Sequence, residues 1–241
     1  MRCSHEAMAT TFGLAISGED EVYAGDVCRE CWSEVDRVEK EISSYVSYSD
    51  ISQLNRLEKD ETTKLGPVAF NCLQAARRLY RETSGAFDVT MASAGKAGPE
   101  QGFPLQINDE KHTAGPTADD VSLDMGGIGK GFALDWVSSV LDLWSIENAR
   151  MHAGQSTVLP RGTPLHLDEG WTVSLRHPDT GENLGRLHLE GRAFSGSGAV
   201  AEEPHIIDPR TGEYVVPRRG AWALAADAAA ADALSTAFTV M

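Results

Sequence analysis

The sequence predicts an α+β fold over residues 1–241, one large domain or two small lobes, in which mixed short strands pack with several helices. Three observations predict it. Helical and extended patterns come in separate runs, whereas a doubly wound sheet needs strict alternation. The length of 241 residues suits one large domain or two small lobes sharing a core. A composition of 41% hydrophobic and 24% charged residues is that of a globular chain, so wholesale disorder is excluded.

Taken in order, residues 7–17 read as a strand with Thr10, Phe12, Leu14 and Ile16 on one face. Ser17-Gly18-Glu19-Asp20 has the form of a capping box. It opens a helix whose apolar stripe is Val27, Cys28, Cys31, Val35, Val38 and Ile42. The run 43–50 breaks that pattern, and 51–57 reads as a short helix. Pro67 suits the first turn of a second long helix, which Gly85 ends. Residues 86–90 read as extended, and 92–118, rich in Gly, Ala and Pro, as a loop with one strand. Residues 121–124 form a short strand entering a glycine loop. A helix follows with Phe132, Leu134, Val137, Val140 and Leu141 along it. Short strands and turns fill 148–226, and an alanine-rich helix runs from Asp227 with Leu234 and Phe238 at helical spacing.

The formal charge of −15 argues against nucleic acid as a partner, because phosphate binding needs a basic stripe. An anionic ligand here needs local help from a helix start, a lysine or a metal ion. No segment approaches the roughly 18 apolar residues of a membrane span. The opening Met1-Arg2-Cys3-Ser4-His5 resembles neither a secretory signal nor a lipoprotein leader. The expected location is therefore cytoplasmic as written, or exported if the natural chain begins earlier. Of the four cysteines, Cys28 and Cys31 form a C-x-x-C, but it lies in a helical pattern without a second ligand pair. The pair is expected as plain core cysteines rather than a redox pair or half a zinc site, and the four cysteines, Cys3 and Cys72 included, do not make a disulfide framework for a chain of this size.

Three features carry possible chemistry. The first is the loop Met125-Gly126-Gly127-Ile128-Gly129-Lys130-Gly131, with Asp124 before it. Its spacing fits neither a Walker A motif nor a dinucleotide fingerprint. It is either a tight helix-packing turn or an anion cradle. The second is Asp232 and Thr236, one helical turn apart. They are either two hard oxygen ligands for Mg²⁺ or a packed threonine beside a solvated aspartate. The third is the segment 205–212, a strand entering a turn, in which His205 is a general base or a half-buried strand histidine. Asp208 there serves its own turn.

Together these stretches resemble the FAD:protein FMN transferases, the ApbE-like or thiamine-biosynthesis lipoprotein family. The matching residues are Met8-Ala9-Thr10-Thr11, then Tyr45 followed by 49–55, then 83–90, 123–131 and His152-Ala153-Gly154. Segments 171–178, 205–212 and 231–237 follow in the family's order. The resemblance implies one flavin transferase-like domain over 1–241 and an enzyme that moves FMN from FAD to a threonine of an acceptor protein, releasing AMP. It implies that Met8, Tyr45, Ala86, Phe87, Asp88, Asp124, Lys130 and one or other of Ile206 and Ile207 contact FAD. It implies Gly127, through its carbonyl, with Asp232 and Thr236 as Mg²⁺ ligands, and His205 as the base.

Four departures stand out. Ala9 replaces a preferred glycine, and Ala153-Gly154-Gln155 replaces Ala-Gly-Gly. Gly196-Ser197-Gly198-Ala199 replaces Thr-Ser-Gly and an aromatic, and only 199–204 separate it from His205. Three rivals stay open: an FAD pyrophosphatase giving FMN and AMP, a non-catalytic FAD-binding protein, and a flavin-free α+β domain with degenerate motifs.

Overall fold

The computed structural model describes residues 1–90, 102–164, 170–177, 180–198, 206–215 and 220–241, with only the backbone of Ile206 and Tyr214. In chain order its elements begin with β1 (Arg2–Ala7), β2 (Thr10–Ile16), α1 (Glu21–Ile42), α2 (Asp50–Leu54), β3 (Thr63–Lys64) and α3 (Pro67–Glu82). There follow β4 (Leu105–Asn108), β5 (Thr113–Pro116), α4 (Gly129–Leu143), β6 (Ala149–Ala153), β7 (Thr157–Arg161) and β8 (Trp171–Arg176). The last are β9 (Asn183–Leu189), β10 (Ala193–Ser197), β11 (Ile206–Ile207), β12 (Tyr214–Val215), β13 (Ala221–Ala225) and α5 (Ala228–Ala237). The architecture is α+β, as expected.

An antiparallel six-stranded sheet in the order β1-β2-β6-β7-β10-β13 carries α1, α4 and α5. Its inward rows are mostly apolar. Phe12, Leu14, Met151, Ala153, Ala193 and Ala223 are buried there, following the two-residue period of strands. The stripe of α1 from Val27 to Ile42 is buried as the sequence predicts. Beside this layer lie α2, α3 and a small sheet in the order β3-β5-β4.

Several expectations are corrected. The predicted strand 7–17 is the second arm of a hairpin. Ala7 ends β1, and Met8 and Ala9 turn with φ of 49° and 55°. A two-residue turn with positive φ matches the strands' twist, which explains the family's preference for glycine where this chain has Ala9. Asp20, not a Ser17 box, caps α1 by accepting the Val22 and Tyr23 N–H groups. Cys28 is bonded to Cys3, tying β1 to α1, while Cys31 and Cys72 are free and buried. Burial pushes the Cys31 thiol up to about 12, so it is inert.

Residues 86–90 and 121–124 are not strands. Leu123 instead pairs with a side chain: its N–H donates to Asn55 Oδ1 at 2.8 Å and its carbonyl accepts from Asn55 Nδ2 at 3.0 Å. An amide side chain has the donor and acceptor of a peptide group, so Asn55 replaces a neighbouring strand. The single strand expected in 92–118 is the β4–β5 hairpin, with 91–101 outside the described residues.

Candidate functional site

A cleft of about 1410 Å³ opens where the β1–β2 turn, the end of α3, the start of α4, α5 and the β8–β9 and β11–β12 hairpins meet. Each wall is set by local bonding. The Met8 N–H donates to Glu39 of α1 at 2.9 Å and anchors the first turn. After α3, Thr83 Oγ1 donates to the Leu79 carbonyl at 2.8 Å and accepts the Phe87 N–H at 3.0 Å. That bond turns Ala86, Phe87 and Asp88 into the cleft. Asp88 Oδ1 accepts from Thr90 N–H and Oγ1 at 2.8 and 2.7 Å, yet burial pushes its carboxyl above the usual range.

The floor is the glycine loop. The Asp124 N–H donates to the Val89 carbonyl at 2.7 Å, and Asp124 Oδ1 accepts the Gly126 N–H at 2.9 Å. A Cβ on Gly127 would stand 3.2 Å from the Phe87 ring and 3.8 Å from Thr236 Oγ1. The loop's small residues therefore let it lie against both. Of the two open readings the helix-packing turn holds, since Gly131 packs backbone to backbone on α5; Gly126 and Gly127 line the cleft.

Asp232 is buried, at 4% exposure, rather than solvated. Its Oδ2 accepts the Gly131 N–H at 3.0 Å and lies 4.0 Å from Lys130 Nζ, which itself donates to the Gly126 carbonyl at 3.2 Å. Its Oδ1 accepts from Thr157 and Ser195 hydroxyls at 3.3 and 3.5 Å. Burial pushes the carboxyl up, outweighing Lys130, the Gly131 N–H and the two hydroxyls. Thr236 Oγ1 lies 3.3 Å from both the Asp232 carbonyl and Ser197 Oγ. A carboxylate, a hydroxyl and a nearby backbone carbonyl are hard oxygen donors of the kind Mg²⁺ takes in small number, leaving the rest to water and phosphate. Among the described residues no group of three or more His, Cys, Asp or Glu gathers.

Met8, Ala86, Phe87, Asp88, Asp124, Lys130, Gly127, Asp232, Thr236 and Ile207 all line the cleft. Of the two isoleucines left open, Ile207 is placed there, and the Ile206 side chain lies outside the described residues. Tyr45 is 91% exposed and is not part of the lining. His205 lies outside the described residues. Three residues further along the chain, Asp208 is gripped by its own turn and by Arg210, whose Nη2 donates at 2.8 Å; this ion pair holds its carboxyl below the usual range. Sequence reasoning missed Thr157, Ser195, Glu39 and Trp222. It also gave no reason for Gly196, where a Cβ would stand 2.8 Å from the Trp222 ring that walls the cleft.

The model of the ApbE family matches residues 8–241. The chain belongs to the ApbE family. It is 24% identical to the FAD:protein FMN transferase of Buchnera aphidicola, covering 74% of this chain and 62% of that one. With the FAD:protein FMN transferase of Haemophilus influenzae it shares 26% identity over 99% of this chain and 80% of that one. Among solved structures, the ApbE protein of Thermotoga maritima superimposes with a TM-score of 0.84 at 22% identity, covering all of this chain (100%) and 86% of that one. The flavin transferase ApbE of Vibrio cholerae gives 0.81 at 21% identity, with 100% and 86% coverage. These structures share the family's fold with this chain.

Proposed function

We propose that the chain is a Mg²⁺-dependent FAD:protein FMN transferase. It would bind FAD in the cleft and pass FMN to a threonine of an acceptor protein, releasing AMP. The observation that carries this reading is the buried Asp232 carboxylate, set with Lys130 and Thr236 against a glycine loop on the cleft floor. On a chain of charge −15, that corner is where a pyrophosphate finds a lysine, glycine-loop backbone and the residues to hold a cation.

In the proposed reaction the threonine Oγ attacks the phosphorus on the FMN side of the FAD pyrophosphate. The new O–P bond forms as the bridging P–O bond breaks, and AMP departs with that electron pair. His205 takes the hydroxyl proton, the role its neutral imidazole suits near neutral pH. Phe87, Ile207 and Trp222 give the cleft its apolar walls, and Lys130 brings positive charge to its floor. Asp232, Thr236 and the Gly127 carbonyl would hold Mg²⁺, whose contribution is to neutralise charge on the phosphate oxygens.

The test is incubation with FAD, Mg²⁺ and a threonine-bearing acceptor. Covalent flavin fluorescence is read on a denaturing gel and AMP release is followed beside it. Labelling with AMP release is expected. The label should vanish in Asp232→Ala and fall about 10²–10⁴-fold in rate in His205→Ala with FAD binding retained. AMP without labelling would make the chain an FAD pyrophosphatase. FAD binding without either product would make it a binding protein.

A further inference from the structure

We propose that Thr157 and Ser195 are positioning residues for Asp232, a hydroxyl pair that turns its carboxylate toward the cation. The proposal rests on the metal reading above. The two side chains face each other in register across β7 and β10. Their cross-strand row runs His5, Phe12, Ala153, Thr157, Ser195, Ala223, so the neighbours on either side of the pair, Ala153 and Ala223, are apolar and these two are not. Both are wholly buried, at 0% exposure. A buried hydroxyl is costly unless it is bonded, and an apolar side chain would fill either position without that demand.

The bonding gives the pair one common target. Thr157 Oγ1 and Ser195 Oγ are 3.0 Å apart and lie 3.3 and 3.5 Å from Asp232 Oδ1. When one hydroxyl donates to the other, the proton left over can go to the carboxylate; Ser156 Oγ, 3.3 Å from Thr157 Oγ1, and Ser235 Oγ, 3.4 Å from Ser195 Oγ, are the pair's other hydroxyl neighbours. Asp232 Oδ2 is fixed from the opposite side by the Gly131 N–H at 3.0 Å. Groups from β7, β10 and α4 thus set the rotation of a carboxylate carried on α5. Each carboxylate oxygen has two lone-pair sites, so this hold leaves capacity for a cation. Outer partners of this kind orient a ligand without touching the metal.

The experiment titrates Mg²⁺ by calorimetry into the FAD-saturated full chain, comparing the parent with Thr157→Val, Ser195→Ala, the double variant and Thr157→Ser. Each single loss of a hydroxyl should weaken Mg²⁺ affinity about 10-fold and the double variant up to about 100-fold. FAD affinity measured without Mg²⁺ should not change, and Thr157→Ser, which keeps the hydroxyl, should bind like the parent. Melting in chelator reports whether each variant folds, and if Thr157→Val does not, Ser195→Ala decides alone. A folded double variant that binds Mg²⁺ as tightly as a metal-binding parent overturns this proposal and spares the metal site. A parent that takes up no Mg²⁺ overturns the metal site, and this proposal with it.

Discussion

Gly131→Ala is the most demanding single test of how α4 and α5 are built. A Cβ at Gly131 would stand 2.1 Å from the Ala228 carbonyl oxygen, 2.6 Å from its carbon and 2.9 Å from the Ala229 Cα. All three are backbone atoms, so no side chain can swing away, and ordinary contact begins near 3.4 Å. The helices would have to part by more than about 1 Å, a distance over which contact energy falls steeply. That movement strains the Gly131 N–H bond to Asp232 at 3.0 Å. It also strains the two bonds, both 2.8 Å, by which Asp135 holds the N–H groups of Ala228 and Ala229. Overpacking of a core costs about 1–3 kcal/mol, and a backbone-to-backbone clash belongs at the upper end, about 3 kcal/mol. For a chain of this size each kcal/mol moves the melting temperature by about 2–4 °C, so a loss of about 6–12 °C is expected. Thermal unfolding followed by far-UV circular dichroism reads it directly. Gly25→Ala on α1 is the control, because its Cβ would meet nothing within 4 Å. Trading glycine for alanine in a helix should raise stability there by about 0.5–1 kcal/mol. A Gly131→Ala protein that melts within about 2 °C of the parent would refute the reasoning, since the clash would then relax without cost.

Two further predictions concern side chains that replace missing backbone partners. Asn55→Ala should cost about 2–3 kcal/mol in chemical denaturation, because it strips both bonds from the buried backbone of Leu123; a loss under about 0.5 kcal/mol would show that those groups find other partners. Asp135 concerns pH, since burial pushes its carboxyl up from 3.8 to about 6 despite the two N–H groups it caps. The folded state therefore holds the proton more tightly than the unfolded chain. The stability contributed by Asp135 is whole below the ordinary pKa and declines as pH rises from about 4 through about 6. The parent's advantage over Asp135→Ala should shrink across that window, and an advantage that grows with pH would contradict the assignment.

What the sequence determined by itself lies where periodicity or motif order is strong. The stripe of α1 follows from its spacing, because a helix repeats every 3.6 residues whatever surrounds it. Phe12, Leu14 and Ile16 follow likewise from the two-residue period. The family followed from an ordered series of short motifs, and the family match over 8–241 agrees with it. Most of the residues named for the site do line one cleft, although no local rule placed Met8 near Thr236.

Only the tertiary structure decided the rest, for reasons of long-range contact. Residues 121–124 carry an extended pattern, but a strand needs a partner ladder, and Leu123 finds an asparagine side chain instead. Cys28 lies in an apolar stripe that marks it as core, and its bond to Cys3 depends on how β1 packs against α1. The spacing of Asp232 and Thr236 allowed a solvated aspartate. Burial came from α5 docking against β7, β10 and α4, which enclosed the carboxylate with Lys130 and two hydroxyls. Thr157 and Ser195 are 38 residues apart and look ordinary in the chain. Their meaning appears only in the strand register, because a polar residue's cost and use depend on what it faces once water is excluded.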